Sequence, residues 1–290
     1  MAKPEFKRVA IVGVGLLGGS AGLAIRACWP KAKVVGVGRR QASLDAALEA
    51  GAIHAATLDP VEAAKGADLV LLATPVAAFE KHLRAIAPAL ARGAVVTDVG
   101  STKAAVLRMA ARALGKGGPF VGSHPMAGSE RKGVAHADAA LFAGATCILT
   151  PTADTPRRVA DRVEGFWRAL GARTVRMTPA AHDRAMARVS HLPHVLAALL
   201  MRLPHKAELA VAATGFRDAT RLAGGDPEMW RDILLTNRRA ILAALDAFDE
   251  GLVALRDLID AGDAPGIERF LSTAQRRRSR TVGANGVAAE

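Results

Sequence analysis

The chain has 290 residues, of which 51% are hydrophobic and 4% aromatic, with no tyrosine. That length and apolar content exclude a disordered tail or a single small domain and allow two domains with separate cores. The formal net charge of +12 is spread along the chain without interleaved aromatic residues, which argues against a nucleic-acid platform and favours anionic small molecules as partners.

The N-terminus MAKPEF lacks the basic, apolar and small-residue regions of a signal peptide. Val9, Ala10, Ile11 and Val12 then form a short, partly β-branched apolar run, the pattern of a strand covered on both faces. Gly13, Gly15 and Gly18 follow on the G-x-G-x-x-G spacing, with Leu16 and Leu17 opening a helix-like segment. Gly13 permits the sharp turn, Gly15 lets a pyrophosphate approach the backbone, and Gly18 lets the helix pack close to the strand. The free N–H groups at the helix start favour negative charge.

Lys33 to Gly38 reads as the second strand of a βαβ unit. In a dinucleotide-binding domain an acid at its tip bonds the ribose 2′-hydroxyl, whereas arginine accommodates a 2′-phosphate. Here Arg39 and Arg40 follow Gly38 and no acid appears before Asp45, so NADP is expected over NAD. The alternative is that both arginines solvate a loop.

Strand-like and helix-like segments alternate onward, with strands at ADLVLLATP, GAVVTDVG, PFVGSHP, TCILTP and RTVRM. This is the order of a Rossmann-like, doubly wound parallel sheet, whose ligands bind beyond the strand carboxyl ends. Thr74-Pro75, Asp98 to Lys103, and Ser123 to Glu130 supply loops at that edge. After residue 178 the strand signal stops. We therefore expect a dinucleotide-binding domain over 1–178 and an all-helical substrate and dimerisation domain over 179–290. Ile233, Leu234, Ile241, Leu242, Leu245, Phe248, Leu252, Leu255 and Ile259 mark a buried stripe at helical spacing. Its length also suggests burial against a second copy, and a homodimer is expected. Arg276 to Arg280 is the main basic block and reads as a solvated tail.

His124 stands where the PFVGSHP strand ends, and an imidazole there is suited to accept a proton near neutrality. It serves equally well, from position alone, as a cap for the next element. His191 and His194 are three apart, without a third ligand at metal spacing. Arg217, Asp218 and Arg221 lie within about one helical turn, forming either a solvated face or a carboxylate clamp. Two cysteines, Cys28 and Cys147, give no disulfide framework, and no apolar run approaches a membrane span, so a cytoplasmic location is expected.

The segments GVGLLGGS, LLATPV, TDVGSTK, GSHPMAGSE, HDRAMARVSHLPHV, GFRDATRLAGGDPEMWRDI and NRRAIL, in this order, resemble the prephenate/arogenate dehydrogenase family of tyrosine biosynthesis. The resemblance runs from about Arg8 to Leu258 and implies oxidative decarboxylation of prephenate to 4-hydroxyphenylpyruvate with hydride transfer to NAD(P)+. It implies that His124 is the catalytic histidine on the substrate C4 hydroxyl and that Ser101 contacts the same hydroxyl beside the nicotinamide. It assigns His194, Arg221 and Ser129 to substrate binding, Asp218 to orienting Arg221 or shaping the pocket, and Trp230 to a position that in relatives can enter the neighbouring subunit's site. Relatives that accept arogenate are close in pattern. A β-hydroxyacid dehydrogenase would carry a lysine where this chain has SHLPH, and a non-catalytic NADPH-binding sensor would need no base beside the nicotinamide.

Overall fold

The computed structural model describes residues 5–128 and 131–285. Its centre is an eight-stranded sheet in the order β3-β2-β1-β4-β5-β6-β7-β8, where β1 is Arg8–Val12, β2 Lys33–Val37, β3 Ala55–Thr57, β4 Leu69–Leu72, β5 Val95–Asp98, β6 Phe120–Pro125, β7 Thr146–Thr150 and β8 Arg173–Arg176. The first six strands are mutually parallel and follow the Rossmann order 3-2-1-4-5-6. Their carboxyl ends therefore share one edge. β7 runs antiparallel to β6 and parallel to β8, so the doubly wound sheet is parallel but for the β6–β7 pair.

Alternation within each strand divides the core between the two sheet faces. Val9, Ile11, Leu69 and Leu71 join one cluster with Phe6, Trp29, Phe166 and Trp167. Ala10, Val12, Val70 and Leu72 join the other with Phe79, Leu83, Ile86 and Val106. Helices α1 (Leu16–Cys28), α2 (Gln41–Glu49) and α6 (Arg157–Ala169) supply the first face; α3 (Pro60–Ala64), α4 (Phe79–Ile86) and α5 (Ala104–Leu114) supply the second. A continuous apolar strand is stable only with cover on both sides, and each fully buried large aliphatic side chain contributes about 1.5–3 kcal/mol.

α7 (Pro179–Met186) is followed by one π-helical turn over Ala187–His191 and then α8 (Leu192–Arg202). α9 (Lys206–Leu209), α10 (Thr214–Thr220), α11 (Pro227–Thr236), α12 (Arg238–Asp260) and α13 (Ala264–Asn285) complete the chain. The described chain forms two compact units, 1–241 and 242–290. Residue 178 therefore marks where strands give way to helices, while α7 to α11 remain in the same compact unit as the sheet.

The long apolar stripe is only partly buried. Ile233 and Ile241 are covered, whereas Leu242, Phe248, Leu252 and Ile259 are exposed in the single chain. The expected burial therefore does not hold within this chain for those four residues, because helical periodicity marks an apolar face without saying what covers it.

Candidate active site

The turn after β1 has the features that the glycine spacing predicts. Gly13 adopts φ +103°, and a Cβ on it would lie 2.6 Å from the Ala73 carbonyl oxygen. A Cβ on Gly18 would lie 1.8 Å from the Gly13 oxygen, so only glycine allows α1 to start so close to the turn. Gly15, by contrast, faces open space. It precedes Leu16 and Leu17 at the start of α1, which has neither a side-chain cap nor an acid in its first turn. Open space above unpaired N–H groups at a helix N-terminus is a cradle for a pyrophosphate, and a dinucleotide fits these residues.

The neighbouring loops line the same edge. The Gly13 N–H donates to the Val37 carbonyl at 2.8 Å, tying the turn to the end of β2, just before the exposed Arg39 and Arg40. Thr74 and Pro75 follow β4, and the Thr74 nitrogen would lie 2.9 Å from a Cβ on Gly13. Ser101 sits half-buried between β5 and α5.

Beside this cradle lies a buried polar network. Asp98, the last residue of β5, accepts from Lys103 Nζ at 2.5 Å and from the backbone N–H groups of Gly100 and Ser123 at 2.9 Å each. Asp98 and Lys103 are both fully buried. Burial pushes the Asp98 pKa up, opposed by the Lys103 ammonium and the two amides. Such a pair holds the loop between β5 and α5 in one arrangement, because removing either partner strands a charge in the core.

His124 is the fifth of six residues in β6. Its Nδ1 lies 2.9 Å from His182 Nε2, and His182 Nδ1 lies 2.8 Å from Asp183 Oδ1. Asp183 also accepts the backbone N–H groups of Lys103 at 2.7 Å and Ala104 at 2.9 Å, capping α5 from α7. The His182 hydrogen bond and these amides hold the Asp183 carboxyl below the usual carboxylate range against its burial. Burial first, then the Lys103 ammonium and the neighbouring His182 and His191 rings, lowers the His124 pKa well below the ordinary imidazole value.

A second set of rings lies on the helical side. Asn237 Nδ2 donates to the Asp183 carbonyl at 2.8 Å and lies 3.1 Å from His191 Nδ1. His191 Nε2 is buried without a hydrogen-bond partner, and burial lowers the His191 pKa to about 4. His194 stacks on Trp230 with centroids 3.5 Å apart and planes 8° from parallel. Gly225 makes room for that stack, since a Cβ there would meet Trp230 Nε1 at 2.4 Å and His194 Cε1 at 2.9 Å.

Other expected site residues are arranged more loosely. Arg221 and Asp218 are exposed, and no ion pair joins them. Trp230 meets His194 of its own chain. Ser129 lies outside the described residues. The hydrogen bond on His124 Nδ1 goes to His182, a residue to which the sequence reading gave no role, as it gave none to Asp183, Lys103, Asn237 or Gly225. The adjacent His182-Asp183 pair, one helical segment before SHLPH, was the available signal. Among the described residues no cluster of His, Cys, Asp or Glu is arranged to hold a metal ion, and no described helix is long and apolar enough to cross a membrane.

A Rossmann sheet with an open glycine cradle, followed by helices that bring imidazoles to the same strand edge, defines an NAD(P)-binding dehydrogenase. Residues 21–176 match the family model for the prephenate dehydrogenase nucleotide-binding domain, and residues 178–273 match that for the prephenate dehydrogenase dimerization domain. The chain belongs to the prephenate dehydrogenase family. It is 36% identical over 274 residues to a prephenate dehydrogenase of Bacillus subtilis, covering 92% of this chain and 74% of that protein. It is 35% identical over 280 residues to a cyclohexadienyl dehydrogenase of Zymomonas mobilis, covering 94% and 95% of the two chains. The crystal structure of prephenate dehydrogenase from A. aeolicus in complex with hydroxyphenyl propionate and NAD+ superposes with a TM-score of 0.90 at 31% identity, covering 97% of this chain and 100% of that one.

Proposed function

We propose that this protein catalyses the oxidative decarboxylation of prephenate to 4-hydroxyphenylpyruvate in tyrosine biosynthesis. The observation that carries the reading is His124 at the carboxyl end of β6, with Nδ1 occupied by His182 and Nε2 left as the nitrogen for a substrate hydroxyl. The bound nicotinamide supplies the acceptor for the C4 hydride.

The protein's part is to position and to hold a proton. The ring substrate gains aromaticity as hydride leaves C4 and the ring carboxylate leaves as CO2, so little further driving force is needed. His124 Nε2 shares the C4 hydroxyl proton while that carbon becomes carbonyl-like. It returns the proton when the electron pair from the breaking carbon–carboxylate bond arrives on the same oxygen as a phenol. The lowered pKa keeps His124 neutral, and so able to accept, at neutral pH. Ser101, in the loop fixed by Asp98 and Lys103, contacts the same hydroxyl in this reading. Arg221 offers a two-pronged contact to a substrate carboxylate, Asp218 shapes that approach, and His194, Ser129 and Trp230 complete the substrate pocket.

Gly13, Gly15, Leu16, Leu17, Gly18, Thr74 and Pro75 hold the cofactor. NADP+ is the preferred form, a reading supported by the exposed Arg39 and Arg40 at the tip of β2, where an acid would select NAD+. The chain divides its labour between nucleotide binding over 1–178 and substrate binding with dimerisation over 179–290. The homodimer is supported by the exposed apolar residues of α12, including Leu242 and Leu252. The two-cysteine sequence supports a cytoplasmic setting.

A second reading, acceptance of arogenate as well, is favoured by the similarity to a cyclohexadienyl dehydrogenase. Purified protein assayed with prephenate or arogenate and with NADP+ or NAD+, followed by absorbance of the reduced cofactor, separates these readings. The fastest turnover is expected with prephenate and NADP+. No turnover in any of the four mixtures would remove the dehydrogenase assignment, and NAD+ used as well as NADP+ would remove the role given to Arg39 and Arg40.

A further inference from the structure

We propose that His182 and Asp183 form with His124 a His–His–Asp relay that fixes the tautomer of His124 and shares the charge it gains from the substrate. The proposal rests on the reading of His124 as the proton acceptor. His182 and Asp183 are positioning residues, since each acts through His124.

The hydrogen bonds determine which nitrogen carries which proton. Asp183 Oδ1 receives the Lys103 N–H and Oδ2 the Ala104 N–H, so the carboxylate is anchored at the N-terminus of α5 as an acceptor. His182 Nδ1, 2.8 Å from Oδ1, must then be the donor. A neutral His182 consequently has a bare Nε2, and the 2.9 Å contact obliges His124 Nδ1 to carry its proton. The remaining nitrogen of His124, Nε2, is thereby left with its lone pair.

When Nε2 takes the substrate proton, the Nδ1 proton shifts toward His182 Nε2 and the His182 Nδ1 proton toward Asp183. All three return when the phenol oxygen reclaims its proton. The anion at the far end offsets what the surroundings oppose: Lys103 faces His124 as a cation, His191 faces it from the π-helical turn, and Asp98 lies behind Lys103. Cys147, on the neighbouring strand β7, is held as a neutral thiol by burial. An isolated imidazole in that company would resist protonation, and the relay supplies the compensating charge. It parallels the use of a buried carboxylate to orient a catalytic histidine elsewhere, with one imidazole interposed.

The test is His182→Gln, whose amide oxygen accepts from His124 and whose amide nitrogen donates to Asp183 but which cannot pass a proton. We expect kcat to fall by about 10- to 100-fold and the acid limb of its pH profile to move to lower pH. NADP+ affinity should stay within about twofold, because no cofactor contact is removed. In a His124→Asn background the same substitution should cost no more than about twofold, since a relay cannot act through an absent imidazole. A wild-type plateau and acid limb in His182→Gln, or an undiminished loss in the double variant, would overturn the relay. Wild-type activity in His124→Asn alone would instead overturn the base assignment. Nitrogen-15 spectra of the unmodified protein give an answer that needs no variant: the relay requires His124 protonated at Nδ1 and bare at Nε2, and the opposite tautomer contradicts it.

Discussion

The glycine cradle and the histidine network sit at one sheet edge but are built in opposite ways. The cradle is local: Gly13, Gly15 and Gly18 lie within one strand–helix turn, and their conformations follow from the absence of side chains. The network is assembled from afar, since His124 reaches His182 across 58 positions and Lys103 meets Asp183 across 80. A local motif tolerates change elsewhere in the fold, whereas a non-local one fails wherever its supports fail. The four variants and conditions that follow probe that contrast.

Lys103→Met should have the largest effect, because it leaves the fully buried Asp98 carboxylate without its cation. A loss of about 3–5 kcal/mol of unfolding free energy is expected, measured by urea denaturation. A loss below about 1 kcal/mol would show that the ion pair is not what fixes this loop. Arg221→Ala, at the exposed rim, should leave folding intact and lower kcat/KM by about 10- to 100-fold, mainly through KM. An unchanged Michaelis constant would take Arg221 out of the substrate pocket.

Gly225→Ala inserts a methyl group against the Trp230 and His194 rings. Substrate KM should rise by roughly tenfold while cofactor affinity holds, since the displaced stack is on the helical side. If KM and kcat both match the parent, the stack does not shape the pocket. The smallest effect is on the pH dependence of stability. The folded-state pKa of His191 is lowered from 6.5 to about 4, so the unfolded chain binds the proton first. The stability contributed is therefore full above about pH 6.5 and declines as the pH falls toward 4. Thermal melts should show the midpoint falling across that window by a few degrees, and a flat profile would mean that His191 is protonated without penalty in the fold.

The same contrast explains what could be read from the sequence. The strands from Val9 to Val12 and from Leu69 to Leu72 were evident because burial on both faces demands continuous apolar residues. The cradle was evident because few residues other than glycine satisfy its geometry. β3, Ala55–Thr57, was not, being three short residues at the sheet edge. The segment from Val76 to Ala89 forms α4 flanked by two short 3₁₀ turns, with Pro88 in the second turn. His182 and Asp183 open the segment HDRAMARVSHLPHV but carry no legible role there, since nothing local distinguishes a histidine that orients another from one that fills space. The exposure of Leu242 and Leu252 was hidden for a different reason: periodicity reports a face and not its cover.

The central claim is that His124 accepts the proton while C4 gives up its hydride, and steady-state turnover of prephenate by His124→Asn measures it most directly. The account predicts kcat lower by about 100- to 1000-fold with cofactor affinity unchanged. A variant that turns over at the parental rate would contradict it.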